Sequence, residues 1–112
     1  MVTQDLGKTS VGMQANLAAM LSYLFGFVTG LIFFLIEKDN KFVRFHAMQS
    51  IVTFGFLFAF QLVCGFIPII GWALIPIVSI LSLVLWIVLI IKSYQGEKFK
   101  LPFAGDIAEQ NS

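Results

Sequence analysis

Two long stretches of this chain carry no charged side chain. Asp, Glu, Lys and Arg are absent from residues 9–36, a run of 28 residues, and from residues 45–91, a run of 47 residues. A helix needs about 20 predominantly apolar residues to cross the hydrocarbon core of a bilayer. Because backbone N–H groups in lipid must be hydrogen-bonded internally, each crossing is expected to be a helix. The pattern predicts one crossing in the first stretch and two in the second.

The boundaries of these elements follow the charged and turn-prone segments. We expect an outer amino-terminal segment over 1–16, helices over 17–36, 45–66 and 72–91, a charged cytoplasmic loop over 37–44, an outer turn over 67–71 and a cytoplasmic tail over 92–112. Pro68 and Gly71 flank the second break, since Pro ends a helix and Gly tolerates tight geometry. The predicted fold is all-α, a three-helix transmembrane bundle with a tight hairpin between helices 2 and 3. Pro76 is expected either in the first turn of helix 3 or at a kink within it, and the tail as a short strand or an extended strip.

Composition supports a chain surrounded by lipid. Hydrophobic residues make up 59% of the 112 residues and charged residues 12%, whereas about 25% of the residues of a typical soluble domain are charged. An ordinary water-soluble domain is therefore excluded. The net charge of +1 gives no indication of nucleic acid binding, so the lipid bilayer is the partner that the composition predicts.

The distribution of basic residues predicts the orientation. With three crossings, the side that holds the amino terminus carries only Lys8, and the opposite side carries Lys38, Lys41, Arg44, Lys92, Lys98 and Lys100. Loops rich in Lys and Arg stay in the cytoplasm. We therefore expect a multi-pass protein of a plasma (inner) membrane, with its amino terminus outside and its carboxyl terminus in the cytoplasm.

Small residues on two helices indicate packing surfaces. The first helix carries one at every fourth position, and the second has a pair opposite its polar side chains; these residues are Ala18, Ser22, Gly26, Gly30, Gly55 and Ala59. Small residues let helix backbones approach closely in lipid. The first set either holds another helix of the same chain, which we favour, or mediates homodimerisation; the second set is expected to accept another helix.

The second helix concentrates its polar side chains on one face. His46, Gln49, Ser50, Thr53 and Gln61 fall within about one third of the helix circumference at 100° per residue. A polar group facing lipid costs free energy, so the stripe is expected to face protein or water. One interpretation is hydrogen bonding between helices, with Ser79, Ser82, Ser22 or Tyr23 as partners. The other is a lined path or substrate groove.

The residues required for catalysis are scarce. The chain has one His and one Cys, which do not suffice for a metal site within one chain. No credible Ser, His and Asp set is present, and no phosphate-binding glycine loop. We therefore expect no enzyme activity and no cofactor.

Two segments carry a resemblance to a known family. Residues 37–50, EKDNKFVRFHAMQS, and residues 94–108, YQGEKFKLPFAGDIA, resemble a bacterial and archaeal family of small three-span membrane proteins of unknown function. That family is grouped with the chloroplast inner-envelope component of the Tic import translocon. The shared core implied by this grouping is Phe42, Arg44, Phe45 and Gln49, and the plastid protein has four spans.

The sequence thus predicts a non-catalytic accessory protein. It would act by helix–helix association as an assembly or translocation-related component, with a second copy or other membrane proteins as partners. Arg44 and the polar stripe are the candidate interaction residues. The alternative is a subunit of an oligomeric pore or transporter lined by that stripe.

Overall fold

Two long helices form the frame of the molecule. The computed structural model describes residue 9 and residues 12–112. Its elements are α1 (Ala15–Leu24), α2 (Phe27–Ile36), α3 (Lys41–Gly65), α4 (Ile70–Tyr94) and α5 (Ala104–Asn111), so the all-α prediction is confirmed. By length and composition, α3 and α4 are the two helices that suffice to cross a membrane. Each has 25 residues and so extends about 37 Å, more than the roughly 30 Å of a hydrocarbon core.

A four-residue turn joins α3 to α4. Ile69 adopts a positive φ of 67°, and the N–H of Ile70 donates to the Pro68 carbonyl at 2.8 Å. A Cβ on Gly71 would overlap the carbonyl of Cys64, so glycine permits the close approach of the two helices here. The turn is as tight as predicted. Pro76 lies inside α4, beyond its first turn.

The predicted single helix over 17–36 is wrong, because the chain breaks at Phe25 and Gly26 and reverses. Gly26 has a φ of 63°, a conformation that glycine adopts without steric cost. Ala18 of α1 forms a buried cluster with Val43 of α3, and Phe33 of α2 packs against that cluster. In one continuous helix Ala18 and Phe33 would lie about 22 Å apart. Helices α1 and α2 therefore form an antiparallel hairpin.

Both ends of this α1–α2 hairpin lie at the same end of the molecule. Near the start of α1, the side-chain amide of Asn16 donates to the carbonyl of Tyr94, the last residue of α4, at 2.9 Å. Helix α2 ends at Ile36, next to the loop that begins α3. This contradicts a bundle of three full-length helices with the amino-terminal segment opposite the charged loop. Of that segment, residues 1–8, 10 and 11 lie outside the described residues.

The charged loop ends in a helix cap. The Glu37 carboxylate accepts the N–H of Asp39 at 3.0 Å and that of Asn40 at 2.9 Å. Asn40 is the N-cap of α3, and its side-chain oxygen accepts the N–H of Val43 at 3.0 Å, which satisfies one of the donors left free at a helix start. The loop thus fixes where α3 begins.

The tail is partly extended and partly helical. After α4, Gly96 adopts a φ of 83°, and residues 97–101 have no regular secondary structure. This described segment is therefore not the short strand that was one of the two predicted forms of the tail. Helix α5, which follows and packs against α3, was not predicted, because its eight residues carry too few apolar side chains to show a clear period.

Candidate functional site

The polar face of α3 is buried in its first half. His46, Gln49 and Ser50 are fully buried, and Thr53 is 8% exposed. They face α1, the helix break and residues 97–101, which we call the strap. The sequence places these side chains on one face, and α1 packs against α3 on that side. The structure thus brings four of the five predicted stripe residues together.

Tyr23, His46 and Gln49 form a hydrogen-bonded triad between α1 and α3. The Tyr23 hydroxyl lies 2.7 Å from Nδ1 of His46 and accepts from Nε2 of Gln49 at 2.9 Å. Nε2 of His46 lies 2.9 Å from the carbonyl oxygen of Glu97. A carbonyl oxygen only accepts, so Nε2 carries a proton, and in the neutral ring Nδ1 accepts from Tyr23. Every polar atom of this imidazole is then satisfied within the chain.

The side chain of Gln49 holds the strap through hydrogen bonds to the strap's backbone atoms. Its amide Nε2 donates to the Phe99 carbonyl at 2.8 Å, and its Oε1 accepts the N–H of Leu101 at 3.0 Å. The amide therefore pairs with residues two apart in the strap, as a neighbouring strand would. With the bond from His46 to Glu97, three hydrogen bonds fasten the strap to α3. No strap side chain takes part in them.

Polar side chains also satisfy the helix break. The indole N–H of Trp86 in α4 donates to the Tyr23 carbonyl at 2.7 Å. The Ser50 hydroxyl donates to the Gly26 carbonyl at 2.8 Å. The Thr29 hydroxyl accepts the N–H of Phe25 at 3.1 Å and donates to a carbonyl of α1 at 3.2 Å. The carbonyls of Tyr23 and Gly26 also accept backbone N–H groups, so side chains of α2, α3 and α4 add further hydrogen bonds to the backbone of the break.

Arg44 closes the loop end of the α1–α2 hairpin. Its Nη1 donates to the carbonyls of Phe34 at 3.1 Å and Glu37 at 2.8 Å. Its guanidinium carbon lies 4.1 Å from the centre of the Phe34 ring. A cation at the carboxyl end of a helix interacts favourably with the exposed carbonyls. Arg44 therefore tethers α2 to α3, which is a structural role for one of the predicted interaction residues.

Ion pairs hold α5 against the strap. Lys100 Nζ lies 3.2 Å from a carboxylate oxygen of Asp106 and 3.2 Å from one of Glu109, and Lys98 lies 3.4 Å from Glu109. The hydrogen bond from Lys100 lowers the pKa of Glu109 from its ordinary value, and the same bond raises the pKa of Lys100. These groups are exposed, so each pair contributes little to stability.

The far half of the stripe contacts α4 through Gln61, whose Nε2 also donates to the Ile75 carbonyl at 3.3 Å. Gln61 Nε2 donates to the Ser79 hydroxyl of α4 at 2.9 Å. Within the described part of the chain, Thr53 Oγ1 and Gln61 Oε1 are buried without a hydrogen-bond partner. Thr53 also lines a groove of about 560 Å³ between α3, α4 and the tail, whose other walls are apolar, including Phe56, Leu85 and Phe103.

The predicted packing residues divide into two groups. Ala18, Ser22 and Gly30 are buried, and a Cβ on Gly30 would lie 2.9 Å from the Ala47 carbonyl oxygen of α3. Gly26 forms the break. Gly55 and Ala59 face away from the other helices: a Cβ on Gly55 would meet nothing within 4 Å, and Ala59 is exposed.

The hydrogen bonds of the site bind and position backbone atoms of the same chain. Across residues 9 and 12–112, no group of three or more His, Cys, Asp or Glu side chains could hold a metal ion. Sequence reasoning missed the roles of Thr29, Trp86 and the strap. A signal was present for Thr29, a lone hydroxyl three residues after Gly26 in an apolar run. Nothing in the sequence indicates that the strap pairs with Gln49.

Comparisons with known proteins identify the family. A family model described as the magnetosome magnetite crystal formation protein family matches residues 8–108, so the chain belongs to that family. A UPF0132 membrane protein of Methanocaldococcus jannaschii is 51% identical over 107 residues, which is 96% of this chain and 96% of that protein. A UPF0132 membrane protein of Archaeoglobus fulgidus is 51% identical over 98 residues, which is 88% of this chain and 95% of that protein. No solved structure matches the chain.

These relatives confirm the coarser part of the sequence prediction. The proteins are archaeal and are named as membrane proteins, in agreement with two apolar helices long enough to cross a bilayer. The chain is thus a member of an uncharacterised family of small membrane proteins.

Proposed function

We propose that this member of the family is a non-catalytic accessory protein of the plasma membrane, which holds or assembles other membrane proteins by helix–helix association. The observation that carries the proposal is the division of its surface. The polar side chains point inward and bond to its own backbone, whereas α4 exposes large apolar side chains such as Ile77, Ile80 and Ile87. A surface of this kind offers packing to lipid and to other helices.

The internal use of the polar groups supports a structural role for them. His46 and Gln49, the most polar members of the stripe, bond to Tyr23 and to the strap. A catalytic or transporting group needs a face that a substrate reaches. Here those faces are occupied by the chain itself, which supports association rather than catalysis.

The charged end is proposed to lie in the cytoplasm. The loop between α2 and α3, the first turn of α3, the last turn of α4 and the tail together carry six of the seven basic residues, and basic segments next to membrane-spanning helices are retained on the cytoplasmic side. The uncharged turn between α3 and α4 would then face the opposite side of the membrane.

The family description and the plastid resemblance suggest settings for such a role. The description names magnetite crystal formation, and the resemblance to the Tic component implies protein translocation. We propose neither as chemistry of this chain. In either setting, the exposed helix faces of this chain support a role in assembling or holding a larger membrane complex.

A pore subunit is the second candidate, and one observation favours it. Thr53 Oγ1 is buried without a partner in the described chain and Thr53 lines the open groove, so an oligomer could use this polar group of the stripe to line a path. Cysteines at Thr53 and Leu57 test this candidate, since labelling of both by a water-soluble thiol reagent would require a wet groove and protection of both would remove it.

Photo-crosslinking in native membranes tests the accessory role. A photoreactive amino acid at Ile80 or Ile87, both exposed on α4, is expected to yield a protein adduct of discrete mass. The same amino acid at Leu89, which is fully buried, is the matched control and should yield none. Adducts with lipid alone at both exposed positions would overturn the proposal.

A further inference from the structure

We propose that α1 and α2 form a re-entrant hairpin, which enters the membrane from the side of the charged loop and returns to that side. The described chain then crosses the bilayer twice, through α3 and α4, and the start of α1 lies on the same side as the carboxyl-terminal helix. This inference depends on the family's membrane location and not on the accessory role.

The lengths of the two short helices fit half a bilayer. Each has ten residues and extends about 15 Å, half of the roughly 30 Å hydrocarbon core. Apolar segments of this length are more often buried or re-entrant than membrane-spanning. The hairpin tip packs beside Phe54 and Phe58, near the middle of α3: a Cβ on Gly26 would lie 3.5 Å from that of Phe54, and the rings of Phe27 and Phe58 are 5.5 Å apart.

The direction of each helix is fixed by contacts at the loop end. Asn16 at the start of α1 bonds to Tyr94 at the end of α4, and Ala18 shares a buried cluster with Val43 near the start of α3. At the end of α2, Arg44 bonds to Phe34. Because the start of α1 and the end of α2 both lie beside the charged loop, the start of α1 cannot lie at the opposite end of α3 and α4.

The chemistry of the tip agrees with a position inside the membrane. Irregular backbone at membrane depth is tolerated only where protein or water satisfies its polar groups. The break meets this condition, since Trp86, Ser50 and Thr29 bond its carbonyls and the N–H of Phe25. The tip is thus shielded on the side of α3 and α4, and apolar side chains such as Phe25, which is 71% exposed, face outward.

The distribution of basic residues between the two sides of the membrane also favours this topology. Three crossings would divide the seven Lys and Arg residues six against one, with Lys8 on the outer side. Two crossings and a re-entrant hairpin place all seven on one side, because the turn between α3 and α4 contains none. An excess of basic residues on the cytoplasmic side is what orients multi-span proteins.

Labelling of single cysteines decides between the two topologies. In a Cys64→Ser background, Gln14→Cys, Asp39→Cys and Gln110→Cys are treated with a membrane-impermeant thiol reagent, in right-side-out and in inverted membrane vesicles. We expect all three cysteines to react in inverted vesicles only, whereas Ile69→Cys in the opposite turn reacts in right-side-out vesicles. Three crossings would place Gln14 opposite Asp39, so labelling of these two positions from different sides overturns the proposal.

A distance measurement covers the case in which labelling is weak. Spin labels at Gln14 and Ile36 flank the α1–α2 hairpin, and both native side chains are exposed. We expect a separation much shorter than the roughly 33 Å that one continuous helix would give over 22 residues. A measured distance near that length, in protein reconstituted in bilayers, would overturn the proposal whatever the labelling shows.

Discussion

Replacing Gln49 with Leu should release the strap and α5 without unfolding the two long helices. The substitution removes three hydrogen bonds of 2.8–3.0 Å, one to Tyr23 and two to the backbone of Phe99 and Leu101. Each such bond contributes a net of about 0.5–1.5 kcal/mol. The bond to Tyr23 does not touch the strap, so the two strap bonds count: they are worth about 2 kcal/mol together, or roughly a 30-fold increase in the population with the strap detached, at about 1.4 kcal/mol for each factor of ten.

Hydrogen exchange measured by mass spectrometry reports this change directly. In protein reconstituted in lipid nanodiscs, we expect the amides of α5 to exchange one to two orders of magnitude faster in Gln49→Leu than in the wild type. The matched control is Gln61→Leu, the same substitution on the same helix, because Gln61 bonds to Ser79 and the backbone of α4 and not to the tail. Unchanged exchange in folded Gln49→Leu, or an equal acceleration in Gln61→Leu, would refute the assignment of the strap to Gln49.

Three further predictions concern the hairpin and the tail. Gly30→Ala places a Cβ 2.9 Å from a carbonyl oxygen of α3 and should lower the free energy of unfolding by about 1–3 kcal/mol. Gly55→Ala, at an open position, should leave the free energy of unfolding unchanged. Equal unfolding midpoints of the two variants in detergent would contradict the prediction. Trp86→Phe removes a 2.7 Å bond at the helix break and should cost about 0.5–1.5 kcal/mol in the same assay, so an unchanged midpoint would count against that bond. Because Lys100 lowers the pKa of Glu109, their contact stabilises α5 above the ordinary carboxyl range and is lost as the pH falls through the lowered value. The protection of the α5 amides, measured relative to the intrinsic exchange rate at each pH, should therefore fall on acidification in the wild type and fall less in Glu109→Gln. An equal loss of protection in both would exclude this pair as the cause.

The charge pattern was sufficient to predict the two long helices and their turn, because both depend on local composition. Residues 45–91 offer 47 uncharged residues, too many for one crossing, and Pro68 and Gly71 mark where the chain turns. The polar stripe of α3 was equally predictable, since helical geometry alone places His46, Gln49 and Thr53 on one face.

The first uncharged run was ambiguous for a physical reason. Its 28 residues suffice for one crossing or for two half-crossings, and hydropathy measures apolar length without recording a reversal. The reversal depends on Gly26, which permits the turn, and on Trp86, which is distant in the sequence and donates a hydrogen bond to the Tyr23 carbonyl at the break. The strap was beyond sequence reasoning for a similar reason, since Gln49 recognises backbone atoms that every residue possesses.

The polar stripe of α3 serves two different depths of the membrane. Its loop-side half, around Gln49, fastens the hairpin and the strap, and at that depth four elements surround α3. Beyond the hairpin tip, α3 and α4 continue alone, with Gln61 and Ser79 as their polar link and with Phe60 and Leu62 exposed. Dispersion and small-residue packing drive helix association in lipid. The half in which α3 and α4 are alone has the most uncovered surface for such contacts, and Gly55 and Ala59 are uncovered near its border with the hairpin tip. A partner helix is therefore expected to pack against this half, which contains the photoreactive position Ile80, whereas Ile87 lies beside Trp86 at the level of the hairpin tip.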